Sequence, residues 1–151
     1  MRSSALLLVV LAGCGEEADQ PGRLQQALSS GVVISEIYGG GGSTGAPFDS
    51  DFVELFNRGS STVTIDGWTL QVATETSSTW NAVALSGSID AGQSYLVRMG
   101  AAGITGAPFS ADTTGAAPLG FAAGKVLLTS SATVMNGPCP SGPVVVDLVG
   151  Y

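Results

Sequence analysis

The chain has 151 residues, 44% of them hydrophobic and only 11% charged, a balance that marks a globular protein and excludes intrinsic disorder. A net charge of −7 with few Lys and Arg argues against direct nucleic-acid binding, which needs clustered cations to neutralise phosphates. Histidine is absent, and that removes Ser-His-Asp and Cys-His catalysis, imidazole zinc sites and histidine general bases together.

The first element is an export signal. Arg2 precedes an apolar run over residues 5–11, too short for a bilayer-spanning helix of about 20 residues, and Leu11-Ala12-Gly13-Cys14 closes it. The tetrad resembles the bacterial lipobox, in which cleavage falls before the cysteine and the sulfur takes a diacylglyceryl group. Residues 1–13 therefore read as a lipoprotein signal peptide and Cys14 as the lipidation site. Several acyl chains on one residue exceed the two-signal threshold for stable anchoring. An ordinary secretory signal with an incidental cysteine is the alternative. Residues 14–30 read as the acylated cysteine and a polar linker, in which Glu16, Glu17 and Asp19 are repelled by anionic lipid and stay in solvent. The expected location is exported and membrane-anchored, at a bacterial outer membrane or cell surface.

The remainder, 31–151, reads as one domain of short strands. About 120 residues bury roughly 60% or more of the extended chain's surface, enough for a core without a metal or disulfide. Strands are expected at 32–38, 52–57, 62–65, 68–73, 82–85, 94–99, 126–129 and 144–151. The clearest alternation places Val53, Leu55 and Asn57 on one face and Phe52, Glu54 and Phe56 on the other. Asn57, Gly59 and Ser60 break that run, Val63 and Ile65 resume it, and Asp66-Gly67 makes a tight turn before Trp68 and Leu70. No helical period appears, so the fold class is all-β, with short strands reversing at both ends of a sandwich. The Ala, Gly and Thr-rich run 100–124 reads as a mobile loop decorated by Phe109 and Phe121, or as a loop holding a short irregular strand at 113–116. No internal repeat is expected.

Glu54, Leu55, Asn57 and Gly59 followed by Val63, Ile65, Gly67, Trp68 and Leu70 resemble the lamin tail domain. The likeness extends upstream through 32–42 and downstream through 89–100. It reaches a late Gly137, Cys139, Pro140 and the closing Val146, Asp147, Val149, Gly150, Tyr151, features shared with bacterial members, and covers 31–151. It implies an immunoglobulin-like β-sandwich that accompanies secreted or surface nucleases and other hydrolases as a non-catalytic module. It also implies that Cys139 pairs with a cysteine beyond Tyr151, so that the domain is cut short at its C-terminus. A free, buried Cys139 thiol is the other reading.

Few residues suggest chemistry. The run 40–45 matches both G-x-S-x-G and G-x-G-x-x-G, but each motif needs a helix directly afterwards, and Ala46-Pro47-Phe48-Asp49 does not begin one. Asp49, Asp51, Glu54 and Glu36 are the densest acidic group and the candidate calcium ligands, with carbonyls of 39–42 completing a six- to eight-oxygen shell. A carboxylate pair for glycoside hydrolysis would need a buried acid in a cleft, which a compact sandwich does not offer. Trp68 reads as core; Trp80, in a polar setting, is the candidate surface aromatic for a glycan or protein partner. Tyr38 and Tyr95 read as strand residues, and Asn57 as satisfying backbone groups at its turn.

The expected function is a non-catalytic lamin-tail lipoprotein that binds, presents or targets at the cell envelope, its partner a protein or glycan and its membrane contact the lipid anchor. The alternatives are the N-terminal part of a secreted nuclease or hydrolase whose active site lies beyond residue 151, and a calcium-dependent adhesin-like module.

Overall fold

The computed structural model describes residues 31–151, so the signal peptide, Cys14 and the linker lie outside the described residues. The strands are β1 Val32–Tyr38, β2 Asp51–Asn57, β3 Val63–Thr64, β4 Thr69–Ala73, β5 Asn81–Ala84, β6 Ser88–Ile89, β7 Ser94–Met99, β8 Thr113–Gly115, β9 Lys125–Thr129 and β10 Val145–Gly150. One four-stranded sheet runs β1-β2-β7-β8, a second runs β10-β9-β4-β5, and β3 pairs with β6 alone. Pairing is antiparallel except where β8 lies parallel to β7. The chain forms the expected immunoglobulin-like sandwich.

The period-two reading of β2 holds: Val53, Leu55 and Asn57 are fully buried between the sheets. They meet Tyr95, Val97 and Met99 of β7 and, from the second sheet, Leu70, Val72, Val83, Val126 and Leu128. Trp68 is half-buried against the same core, as expected.

Alternation fails on β4 and β9, which are buried on both faces. The reason is a covering loop. The chain after β9 lies along the outer face of the second sheet, held by the polar side chains that alternation turns outward. Thr69 Oγ1 donates to the Ser131 carbonyl at 2.9 Å, Gln71 Nε2 to the Thr133 carbonyl at 3.0 Å, and Gln71 Oε1 accepts the Met135 N–H at 2.8 Å. Farther along, Lys125 Nζ donates to the Ser77 and Pro138 carbonyls at 2.7 and 2.9 Å. A buried cation is tolerated when its donors are satisfied, and here carbonyl oxygens and the Trp80 ring, 5.3 Å from Nζ, do so.

The two sheets are joined along one edge. β1 carries a register shift between Ile34 and Glu36, and β10 one between Val145 and Asp147. At a bulge an amide leaves the ladder and needs another acceptor. The buried Asp147 carboxylate supplies it, taking the Ile34 N–H at 2.9 Å and its neighbour Leu148 N–H at 3.0 Å.

The run 100–124 is not the mobile loop that composition suggested. It is stitched to the glycine-rich connection between β1 and β2 and then supplies β8, where the irregular strand was the other expectation.

Candidate functional site

The outer face of the first sheet carries a cluster of four aromatic rings. Alternation on β2 turns Phe52 away from the core, and Tyr38 of β1 stacks on it with centroids 5.2 Å apart and planes 19° from parallel. Phe48 and Phe109 approach the Phe52 ring edge-on at 5.7 and 5.6 Å and each other at 5.6 Å. Such offset and edge contacts set ring edges against ring faces, the arrangement aromatic pairs prefer. Phe52 is only 7% exposed although it faces outward.

Two loops of one sequence deliver the outer rings. Thr44-Gly45-Ala46-Pro47-Phe48 recurs as Thr105-Gly106-Ala107-Pro108-Phe109. The two copies lie side by side: Phe48 and Ala107 form a parallel bridge, the Ala107 N–H donates to the Pro47 carbonyl at 2.8 Å, and the Asp49 N–H donates to the Ala107 carbonyl at 3.1 Å. In each copy the glycine adopts positive φ, 82° at Gly45 and 96° at Gly106, a region that disfavours any side chain. The expectation of no internal repeat is therefore corrected. A repeated pentapeptide escapes a search for the long periods of solenoids, yet the identity is plain in the sequence.

Asp51 fixes the glycine-rich connection before β2 and the loop after β8 to the sheet. Its carboxylate accepts the Gly41 N–H at 2.8 Å and the Leu119 N–H at 3.0 Å. Beyond the rings, Arg98 of β7 pairs with Phe52 in register, so Tyr38, Phe52, Arg98 and Thr114 form one row across the sheet. Arg98 Nε is buried there with no hydrogen-bond partner.

The candidate calcium ligands do not converge. Asp49 accepts the Ser50 hydroxyl at 3.0 Å, Glu54 accepts the Ser35 hydroxyl at 2.6 Å, and Glu36 is exposed in mid-strand opposite Glu54. Both Asp51 oxygens hold backbone amides, and the glycine loop turns an N–H, not a carbonyl, toward it. Among the described residues no group of three or more Asp, Glu, His or Cys is placed to hold a metal. The arrangement does not fit a cation.

Trp80 is corrected as a surface anchor. It is 7% exposed, and its indole N–H donates to the Gly137 carbonyl at 2.9 Å beneath the loop after β9. The polar neighbours that suggested exposure belong to the turn before it; Ser77 bonds Thr79 within that turn. The glycine run passes into turns and not a helix, so neither formal glycine motif has the context its chemistry requires. Cys139 is exposed and disulfide-bonded, which corrects the buried-thiol reading. It is the one cysteine among the described residues, so its partner sulfur lies outside them.

A cavity of about 60 Å³ sits beside Lys125 and Tyr151, lined also by Val72, Thr74, Asn81 and Leu119. It has room for a few waters, far less than an organic substrate needs. Burial raises the Tyr151 phenol above its ordinary value of 10.0 at the mouth of this cavity.

Asn57 performs the role expected of it. Its Nδ2 donates to the Ser61 and Ile89 carbonyls, each at 2.8 Å, and its Oδ1 accepts the Gly59 N–H at 3.0 Å. The amide thus ties the end of β2 to the turn after it and to β6, a structural reason for the Asn-x-Gly pattern.

Two facing sheets bridged at their edges, with polar side chains committed to loop anchoring, define an immunoglobulin-like β-sandwich module. The family model described as Lamin Tail Domain matches residues 25–151, and the chain belongs to that family. A comparison with the curated proteins returned no match.

Proposed function

We propose that this lamin-tail sandwich is an exported, lipid-anchored and non-catalytic module that binds or presents at the cell envelope. The observation that carries the non-catalytic half is the use of its buried polar side chains. Ser50, Asn57, Thr69, Gln71, Lys125, Thr129 and Asp147 all hydrogen-bond to groups of their own chain, in the role of fastening loops and strand edges. A catalytic acid or base needs a polar group held ready for substrate in a cleft; these groups are already engaged, and no histidine is available.

The anchored half rests on Leu11-Ala12-Gly13-Cys14 and the apolar run before it. What the anchor would hold at the envelope is a rigid scaffold with an aromatic face, suited to contact with a protein or glycan surface. Metabolic labelling with a fatty acid should mark the wild type and spare Cys14→Ala; equal labelling of the two would dispose of the anchor. The sulfur of Cys14 cannot be a thioether and a disulfide at once. Acylation therefore requires Cys139 to pair elsewhere, and an alkylation count after reduction checks that directly: one thiol in this chain if Cys14 is acylated, two if Cys14 and Cys139 are bonded to each other. Purified protein that turns over a phosphodiester or glycoside unaided would overturn the non-catalytic half.

A further inference from the structure

Three loops close the end of the sandwich reached by the last residues of β1 and β7. Residues 39–48, 100–111 and 115–124 hold no charged side chain, in a chain with a net charge of −7. The loops touch: a side chain on Gly42 would fall 2.7 Å from the Gly103 Cα, and one on Gly40 would meet the Phe121 ring at 3.7 Å. From this end project Ile104, fully exposed, Phe121, 79% exposed, and Phe48, 37% exposed. Asp49, beside Phe48 in the same loop, is half-buried and accepts the Ser50 hydroxyl, and Asp51 at the start of β2 has both oxygens turned inward to amides. Acids lie instead along the flanks, at Glu36, Glu54 and Asp112.

We propose that this loop end seats on a lipid bilayer surface, with Ile104 and Phe121 entering the interfacial zone. Exposed large apolar side chains whose own loop segments carry no charge enter that zone without drawing a charge out of water, while the acidic flanks remain in solution. A protein partner would be expected to find charged side chains around such knobs, and here the loops offer Ala, Gly and the hydroxyls of Ser43, Thr44 and Thr105 but no charge.

The inference deepens the anchored reading and rests on it for its strength. Gly31, where the described chain begins, lies at the opposite end, beside Arg58, whose N–H donates to the Gly31 carbonyl at 3.1 Å. The two ends are about 20 Å apart along β1. The residues between Cys14 and Gly31 span at most about 60 Å when extended, so an anchored chain has the length to lay its far end on the same membrane. Anchoring raises the local concentration of a contact that is weak alone.

The contact is testable without the acyl group, which separates its fate from that of the anchor. The apolar core closes within 31–151, so the chain from residue 14 onward, carrying Cys14→Ser and Cys139→Ser, is mixed with phosphatidylcholine vesicles and floated. The parent should float, and the indole emission of its Phe121→Trp form should shift to the blue and be quenched by brominated phosphatidylcholine. Ile104→Asp and Phe121→Asp should each lower the vesicle partition coefficient about tenfold or more. Val134→Asp, at an exposed apolar site on the loop after β9, should leave partition unchanged. Melting curves should be the same for all, since these side chains are exposed. Failure of the parent to float, equal partition of the loop variants, or a lipid-free dimer abolished by Ile104→Asp would overturn the proposal.

Discussion

Phe48 and Phe109 stand at the same place in two copies of one pentapeptide, and their rings meet edge-on at 5.6 Å with planes 77° apart. The repeat thus builds a local pair: two like turns, bridged backbone to backbone, lay two like rings on Phe52. The pairing is not symmetric at the glycines. A side chain on Gly106 would fall 2.2 Å from the Phe48 carbonyl carbon, whereas one on Gly45 meets nothing within 4 Å. Gly45→Ala should cost about 1–2 kcal/mol, the penalty of positive φ alone. Gly106→Ala should cost about 2–5 kcal/mol, because strain adds to a backbone that must move. Urea unfolding midpoints of the two variants check this; equal costs would mean the loops do not lie against each other.

Asp51 decides between a loop clamp and a cation ligand. Its two oxygens each take one amide, so Asp51→Asn must set an NH2 group against either Gly41 or Leu119 and lose one bond. The expected cost is about 1.5–3 kcal/mol, the range for hydrogen bonds to a charged group. Calcium should neither raise the melting temperature of the wild type nor alter the effect of Asp51→Asn. A calcium-dependent rise abolished by Asp51→Asn together with Asp49→Asn would restore the metal reading.

Asp147 joins the sheets through the Ile34 amide, bulge to bulge. Asp147→Ala leaves that amide without its acceptor in a part-buried place, at a cost of about 1–3 kcal/mol. Hydrogen exchange should report it locally. The Ile34 and Leu148 amides should lose protection by more than amides in the middle of β9, which are held by strands on both sides. Uniform loss across the protein would show that Asp147 acts through global stability and not at this edge.

The core was legible in the sequence where one face of a strand is wet. On β2, alternation puts Val53, Leu55 and Asn57 on one face, and that face is the buried one; on β7 the predicted and observed bounds agree at Ser94–Met99. Legibility ended where a loop covers the other face. Gln71 and Lys125 look like solvent-facing residues of half-buried strands, and nothing nearby in sequence announces that carbonyls some sixty and thirteen positions on will bury them. Trp80 misled for the same reason, since the loop that covers it comes after β9. The two-residue strand β6 is too short to carry a period and exists because Val63 and Ile89 meet in the fold. Of the candidate site, the acids were visible but their failure to converge was not, because opposing places on β1 and β2 are fixed by a register shift between Ile34 and Glu36.

Tyr95 gives the sandwich a dependence on alkaline pH. It pairs with Leu55 in the core, is 7% exposed, and donates its hydroxyl to the Ser86 carbonyl at 3.2 Å. Burial, with the Asp112 carboxylate adding to it, lifts the phenol above the ordinary 10.0. The unfolded chain therefore gives up this proton first as pH rises. The stability due to the protonated phenol is complete below about pH 10 and declines as pH climbs through the raised folded value. Tyr95→Phe should lower stability at neutral pH by about 1 kcal/mol through the lost hydrogen bond. It should also flatten the fall in stability above about pH 10, because one linked proton is gone. Tyr151 is common to both proteins, so its own raised phenol contributes the same background. Chemical denaturation at a series of pH values measures the two slopes, and parallel slopes for wild type and variant would show that Tyr95 ionises with the same ease folded and unfolded.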